Sequence, residues 1–316
     1  MRRWITRWNN YWFPVTSTLD LAQCRILAAA AQAFWFLPLY TALRSQIALL
    51  ENNSSFIYPQ LLIRAITWWV PREVLFTPPI FTSLYWITFA AGVLAIIGLF
   101  TRTSLFVLAA GSVILVAHKY SYGDVHHSEA LYVLFLLLLA FAPCGERLSV
   151  DAWLRRSRGR VPAATTEVGV WPLKAAHVLL ALTYFSTGIT KLISGGLQWM
   201  NGYTLQSYTF RDAVLRDVPL GMWLAQWYGV AIVLSVFTIL FETFFFLSLI
   251  FPRVAPLFFI TGIGFHLALY ATGRHAFFPH IVLLGLLLLF LDPGWWRAWI
   301  KPPTTFRLAF SKEPAR

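Results

Sequence analysis

Charged residues are scarce in this sequence: Asp, Glu, Lys and Arg make up 12% of its 316 residues, against about 25% in a typical soluble domain. Together with an apolar fraction of 58%, this scarcity excludes a disordered chain and a typical soluble enzyme. It indicates a polytopic, all-α membrane protein. Cysteine is scarcer still, because Cys24 and Cys144 are the only two. They are too few for a disulfide framework, so both are predicted to be free thiols.

Several chemical motifs are also absent. There is no Gly-rich phosphate loop, no Cys-x-x-Cys and no His-Glu-x-x-His, which argues against a redox-active dithiol and gives no metal site. Acidic residues are few as well: 13 Asp and Glu face 25 Lys and Arg, for a net charge of +12. A membrane protein acquires such an excess by keeping its cations on the cytoplasmic side, so nucleic acid is not expected as a partner.

Long apolar segments occupy most of the chain and predict a bundle of about eight transmembrane helices over residues 20–292. A short N-terminal segment, 1–19, precedes this bundle, and a basic cytoplasmic tail, 293–316, follows it. The run RRSRGR at 155–160 favours an orientation with both termini in the cytoplasm. The predicted spans are 20–43, 81–100, 104–119, 128–143, 172–192, 224–251, 254–272 and 278–292.

Two connections stand out. Residues 44–80 contain the amphipathic stretch LLIRAITWWV, predicted to lie at the outer membrane interface with its Trp pair at headgroup level. Residues 145–171 are predicted to form a flexible linker on the inner side.

Titratable residues are concentrated in one half of the predicted bundle. Polar groups inside a membrane are costly and tend to mark function, so their clustering predicts an outward-facing polar cavity. The histidines of this outer half are His118, His126, His127, His266, His275 and His280, whereas His177 lies near the inner side.

Two short segments are candidates for chemistry. In SYGDVHHSEALY at 121–132, His126, His127 and Glu129 begin the fourth span, and one of the two histidines is expected to point into the bundle. The alternative is a helix cap without chemistry. Lys191, near the end of the fifth span, is either a snorkelling residue or a base whose charged form is disfavoured by desolvation.

Other residues are expected to complete the pocket. Trp199 and Tyr203 follow the fifth span and are interpreted as an aromatic lid. His266 lies inside the seventh span, as a pocket residue or a satisfied core histidine, and Arg274 at the mouth suits an anion. Glu242 is expected to be protonated or to pair with Arg25 or Arg253.

These segments, in this order, resemble the membrane domain of the vitamin K-dependent γ-carboxylase family, in its short bacterial form with an HTTM domain. The matching pieces cover about residues 15–295 but do not extend to the large C-terminal region of the full carboxylases. They are RIL at 25–27, HHSEALY at 126–132, CGERLSVDAWL at 144–154, GITKL at 188–192, the stretch from Trp199 to Gly202, Glu242 before an aromatic run, and GFHLALY at 264–270.

The resemblance implies a specific chemistry. Lys191 would be the base that deprotonates a reduced naphthoquinone or another quinol, and His127 its catalytic partner. Carboxylation of a secreted peptide or protein would consume CO2 and O2. The alternative is a non-enzymatic module that binds membrane lipid or assists processing or export of a secreted peptide. A transporter is a third reading, against which stands the lack of an inverted repeat.

Overall fold

The computed structural model describes residues 2–37, 40–52, 56–123, 127–292 and 294. Within them the chain is almost entirely helical, which confirms the all-α prediction; a two-residue antiparallel strand pair is the exception. The elements are α1 (Arg2–Trp12), β1 (Thr16–Ser17), α2 (Thr18–Ala31), α3 (Tyr40–Glu51), α4 (Leu61–Trp69), α5 (Arg72–Leu75), α6 (Pro78–Ile97), α7 (Thr101–Tyr120), α8 (His127–Leu139), α9 (Val150–Ser157), β2 (Thr165–Thr166), α10 (Trp171–Gly195), α11 (Tyr203–Arg216), α12 (Pro219–Ala225), α13 (Tyr228–Phe244), α14 (Leu247–Ile250), α15 (Ala255–Gly273) and α16 (Phe278–Phe290).

Four helical segments in the described part of the chain are long and apolar enough to cross a membrane: α6, α7, α10 with the 3₁₀ turn that extends it to Asn201, and α15 with the turn before it. A fifth is counted if α12 and α13, which meet at a bend of 100°, form one broken span. The apolar helices α8 and α16 are shorter. The prediction of about eight spans is therefore supported for four or five.

The first predicted span, 20–43, is not one continuous helix. α2 ends at Ala31, a π-helical turn follows over Gln32–Phe36, and α3 begins at Tyr40. Leu37 has an extended ψ of 131°. It precedes Pro38 in the sequence, and the proline ring disfavours helical geometry in the residue before it. The apolar composition predicted a span here, but the proline interrupts the helix.

The core lies where these helices pack in antiparallel neighbours, α6 on α7, α10 on α13 and α15 on α16. Leu105, Phe135, Leu180 and Leu284 are fully buried there. Lipid is as apolar as these side chains, so close van der Waals packing rather than removal from water holds membrane helices together. The helices form one bundle, and inside it polar side chains of α10, α13, α15 and α16 face each other.

The predicted linker 145–171 is structured, so that prediction is wrong. It contains α9, and its later part contains β2, which pairs with β1 near the start of the chain. Asp151 of α9 accepts hydrogen bonds from the backbone N–H groups of Phe100 (2.9 Å) and Thr101 (2.8 Å). It thus caps the start of α7, where unpaired N–H groups and the helix dipole favour a carboxylate.

Arg25 fastens the same region from inside the bundle. Its guanidinium is fully buried and donates to the carbonyls of Cys144 (2.8 Å), Leu148 (2.5 Å) and Ile96 (3.4 Å). Gly98, at a φ of 70°, ends α6 beside it, and a Cβ there would meet the Cβ of Ser149 at 2.3 Å. Both cysteines are buried and free, as predicted.

The segment 44–80 contains α4 and α5 with the end of α3. The stretch LLIRAITWWV forms α4, whose Ile63 is buried while Trp68 and Trp69 are 84% exposed. Its position at a membrane interface stays a prediction. Apart from Gly294, the predicted tail 293–316 lies outside the described residues.

Candidate functional site

The candidate site is built on one face of α10. His177, Tyr184 and Lys191 follow each other at intervals of seven residues, which places them on the same side of an α-helix at successive levels. Gly188 shares this face, one turn before Lys191. The later part of the face packs against α13, whereas His177 contacts Ser248 of α14. The face therefore presents three titratable side chains to neighbouring helices.

Gly188 permits an unusually close approach of the two helices. A Cβ at this position would lie 2.6 Å from Thr243 Oγ1 and 2.7 Å from the Thr243 backbone nitrogen. Any side chain here would push α13 away, and small residues are the usual means by which helices pack this closely. The close contact brings Lys191 next to Glu242.

Lys191 and Glu242 form an ion pair in which Lys191 Nζ donates to Glu242 Oε2. The Glu242 side chain is 6% exposed and that of Lys191 21%. The predicted partners of Glu242 were wrong: Arg25 binds backbone carbonyls, and Arg253 lies on the exposed turn before α15. A buried carboxylate needs a cation or a proton, and Lys191 supplies the cation.

Trp199 covers this pair. It lies in the 3₁₀ turn Gly196–Asn201 that continues α10, and Lys191 Nζ is 5.0 Å from its ring centre. An ammonium at this distance is attracted to the ring face by about 0.5–2 kcal/mol. A role for Trp199 as part of an aromatic lid stays a prediction.

A second polar contact lies two turns below, among aromatic rings. Tyr184 Oη is 2.6 Å from His266 Nε2 on α15, and the rings of His266 and His280 on α16 are 5.1 Å apart. All three residues are buried. Tyr184 also stacks on Phe245 of the segment after α13 at 4.4 Å. Side chains from four parts of the bundle therefore form one buried polar cluster.

Tyr184 and His280 were not among the predicted site residues. The spacing of Tyr184, Gly188 and Lys191 on one helical face was the signal that could have identified the tyrosine. His280 has no such signal, because its proximity to His266 arises from the pairing of α15 and α16.

The remaining predicted residues lie in other environments. Tyr203 is 62% exposed and its ring packs 4.8 Å from that of Tyr228. Arg274 lies over Tyr270 at 5.3 Å. Glu129 pairs with Lys119 at 3.1 Å.

The histidine pair of the fourth span is only partly described. His127 is the first residue of α8, and its side chain lies outside the described residues, as does all of His126. The role of His127 as a partner of Lys191 stays a prediction. Across the described part of the chain, no three His, Cys, Asp or Glu residues are grouped to hold a metal ion.

Two cavities flank the bundle. One of about 320 Å³ lies between α11, α13 and α15, with Asp212 and His275 in its wall. A larger one, about 820 Å³, lies at the other end of α10 and is lined by Lys174 and His177. Lys191 lines neither of these two cavities. The outward-facing pocket stays a prediction.

Comparison with known proteins gives one match. A family model described as HTTM domain matches residues 17–295. No curated protein and no solved structure matches the chain.

Proposed function

Since the chain belongs to the HTTM domain family, we propose that Lys191 and Glu242 are the proton-accepting pair of a membrane enzyme that acts on a lipophilic quinol. The HTTM domain is associated with the membrane cores of vitamin K-dependent carboxylases. The observation that carries the proposal is the buried ion pair itself, because ionisable groups within membrane proteins tend to mark proton or substrate sites.

The pair supplies a base in the following way. In a site of low polarity two separated charges are costly, and transfer of a proton from Lys191 to Glu242 yields a neutral amine and a neutral acid. The amine of Lys191 then accepts the proton of an acidic O–H group, which leaves an anion beside the resulting ammonium. Trp199 covers the amine and reduces its access to water.

The residues present fit a quinol. Trp199 offers a flat apolar surface beside Lys191, and aromatic surfaces favour a planar ring. The rings of Tyr184 and Phe245 stack on each other and are buried, so they support the site from inside the bundle. A reduced naphthoquinone supplies the acidic O–H and the reducing electrons when bound. The hydrogen-bonded Tyr184 and His266 hold a second proton two turns from Lys191.

One part of the proposal, the carboxylation reaction, depends on the family resemblance alone. Carboxylation of a secreted peptide or protein with CO2 and O2 follows from the family chemistry, with His127 orienting the substrate. His126 and Glu129 beside it, Tyr203 in the lid and Arg274 at the mouth complete the proposed substrate region.

The test is the ionisation of a bound probe. We expect purified protein, kept without oxygen, to bind a naphthohydroquinone and to shift its absorption toward that of the anion at a pH where the free compound is neutral. Lys191→Arg should abolish this shift, because a guanidinium keeps its proton. Lys174→Arg is the matched control, since Lys174 lies on the same helix near its opposite end and outside the proposed substrate region. An unchanged shift in Lys191→Arg would overturn the assignment.

A non-enzymatic lipid-binding or partner module is the second candidate, and one observation favours it: the ammonium of Lys191 already has a carboxylate partner. An ion pair that only joins α10 to α13 would bind no hydroquinone, and the same experiment would then give no spectral change in wild-type protein.

The topology is proposed from the charges. We place about eight spans in the bacterial inner membrane, with both termini inside and the Lys191 end outside. Burial raises the pKa of Cys144 to about 11, and Cys24 is also buried, so introduced cysteines can be labelled selectively. An impermeant maleimide added to intact cells should label Leu215→Cys and spare Arg158→Cys. The opposite pattern would reverse the orientation.

A further inference from the structure

The cavity between α11, α13 and α15 has an apolar interior. Its volume of about 320 Å³ is at the lower end of the range of small-molecule pockets, about 300–1,000 Å³. Gly264 and Ala268 of α15 belong to its wall and are exposed, so the cavity is open along this helix. Its apolar wall residues include Leu205, Leu224, Leu234, Phe237, Phe265 and Leu269.

One part of the wall is charged. Asp212 accepts from His275 Nε2 at 2.7 Å and from Arg211 Nη2 at 3.0 Å. Arg216 donates to the carbonyl of Gly273 at 2.6 Å, and Gly273 and His275 both line the cavity. Two arginines thus contact the wall of the cavity, against the single carboxylate of Asp212.

Arg211 keeps contact with water, because its side chain is 56% exposed. Its described bonds use two nitrogens of a group that carries five N–H donors. A guanidinium in this state can donate to a second anion, and arginine suits phosphate groups especially well. The charged part of the wall therefore favours a negative group beside an apolar chain.

We propose that this cavity binds a lipid with an anionic phosphate headgroup. An apolar chain enters along α15 between Gly264 and Ala268 and packs against Phe237 and Phe265. The phosphate lies beside Arg211 and Arg216. The site does not depend on Lys191, so it goes beyond the proposed function.

Gly264 gives a direct way to fill the cavity. A Cβ built at this position has no atom within 4 Å, so a larger side chain occupies space without a clash at its base. Gly285 in α16 is equally open but does not line the cavity. Gly285→Val is therefore the matched control for Gly264→Val.

The experiment measures retention of defined lipids by the purified full chain, using native mass spectrometry. The probes are phosphatidylglycerol and phosphatidylcholine with identical acyl chains. We expect wild-type protein to retain phosphatidylglycerol about tenfold better. Arg211→Gln with Arg216→Gln should remove this preference. Gly264→Val should weaken retention of phosphatidylglycerol about tenfold, and Gly285→Val should not.

Two results would overturn the proposal: equal retention of both lipids by wild-type protein, or unchanged retention in Gly264→Val. If Gly264→Val fails to fold, Ala268→Leu fills the same wall and takes its place. Lys191→Ala should retain phosphatidylglycerol normally, so failure of the quinol proposal leaves this result unaffected.

Discussion

The two ends of α10 handle buried polar groups differently. Near its start, His177 Nε2 bonds to the hydroxyl of Ser248 at 2.8 Å. Arg25 of α2 is satisfied in a similar way, because it bonds to backbone carbonyls. Near its end, Lys191 pairs with a carboxylate and Tyr184 with an imidazole. In the first group the acceptors are neutral and do not titrate. In the second, both partners of each contact carry a titratable group.

The difference distinguishes buried polar groups that stabilise the fold from buried polar groups that are suited to proton transfer. A buried charge held by carbonyls is satisfied permanently and stabilises one conformation. Two titratable groups joined by a hydrogen bond are placed so that a proton can pass between them, which acid–base chemistry requires. The predictions below test whether this division is real, beginning with the largest expected change in stability.

The largest effect is expected at Arg25. Arg25→Met leaves three buried carbonyls without their donor and should lower the free energy of unfolding by about 3–5 kcal/mol. Thermal unfolding in detergent measures it, with the exposed Arg158→Met as control. A loss of unfolding free energy below about 1 kcal/mol would show that the hydrogen bonds of Arg25 do not stabilise the fold.

The contact at Gly188 comes next. Gly188→Ala forces α10 and α13 apart and should cost about 1–3 kcal/mol while separating Lys191 from Glu242. Gly285→Ala introduces the same methyl group into open space and serves as control. The hydroquinone absorption shift should disappear only in Gly188→Ala. If the absorption shift persists in Gly188→Ala, the proposed chemistry does not require the close helix contact.

The cap at Asp151 should give a smaller, pH-dependent effect. Burial alone raises the pKa of Asp151, but hydrogen bonds from Thr101 and Phe100 outweigh it and lower the pKa below 3.8. The stabilisation is therefore complete above the unfolded pKa, about 3.9, and is lost as the pH falls through the folded value. Asp151→Asn should lower the free energy of unfolding by about 1 kcal/mol at pH 7. Below pH 5 its unfolding midpoint should fall less steeply with pH than that of the wild-type protein. If the midpoint of Asp151→Asn falls with pH as steeply as that of the wild-type protein, groups other than Asp151 cause the loss of stability in acid.

The last two variants change stability little but compare the two ends of α10 directly. Tyr184→Phe and Ser248→Ala each remove one hydroxyl that contacts a buried histidine, and each should cost about 1 kcal/mol. Only Tyr184→Phe should change the pH at which bound hydroquinone ionises. If Ser248→Ala changes it equally, the two ends of α10 do not differ in function.

Sequence reasoning went furthest where local composition decides the outcome. Apolar segments predicted the helical class, and Lys191 and His266 were selected because ionisable groups are rare among apolar neighbours. It failed at 145–171, whose polar composition suggested a linker. That segment is ordered by Asp151 and by carbonyls that Arg25 binds, and such long-range partners leave no mark on local composition.

The sequence by itself determined that most of the chain is helical, and that Tyr184, Gly188 and Lys191 share one face of α10. These features follow from a helical period of 3.6 residues and from the chemistry of single side chains. Only the tertiary structure decided that Glu242 pairs with Lys191, that Tyr184 meets His266, and that Asp212 and His275 join in the wall of a cavity. These pairs join different helices, and the packing that brings them together depends on side-chain shape over the whole bundle.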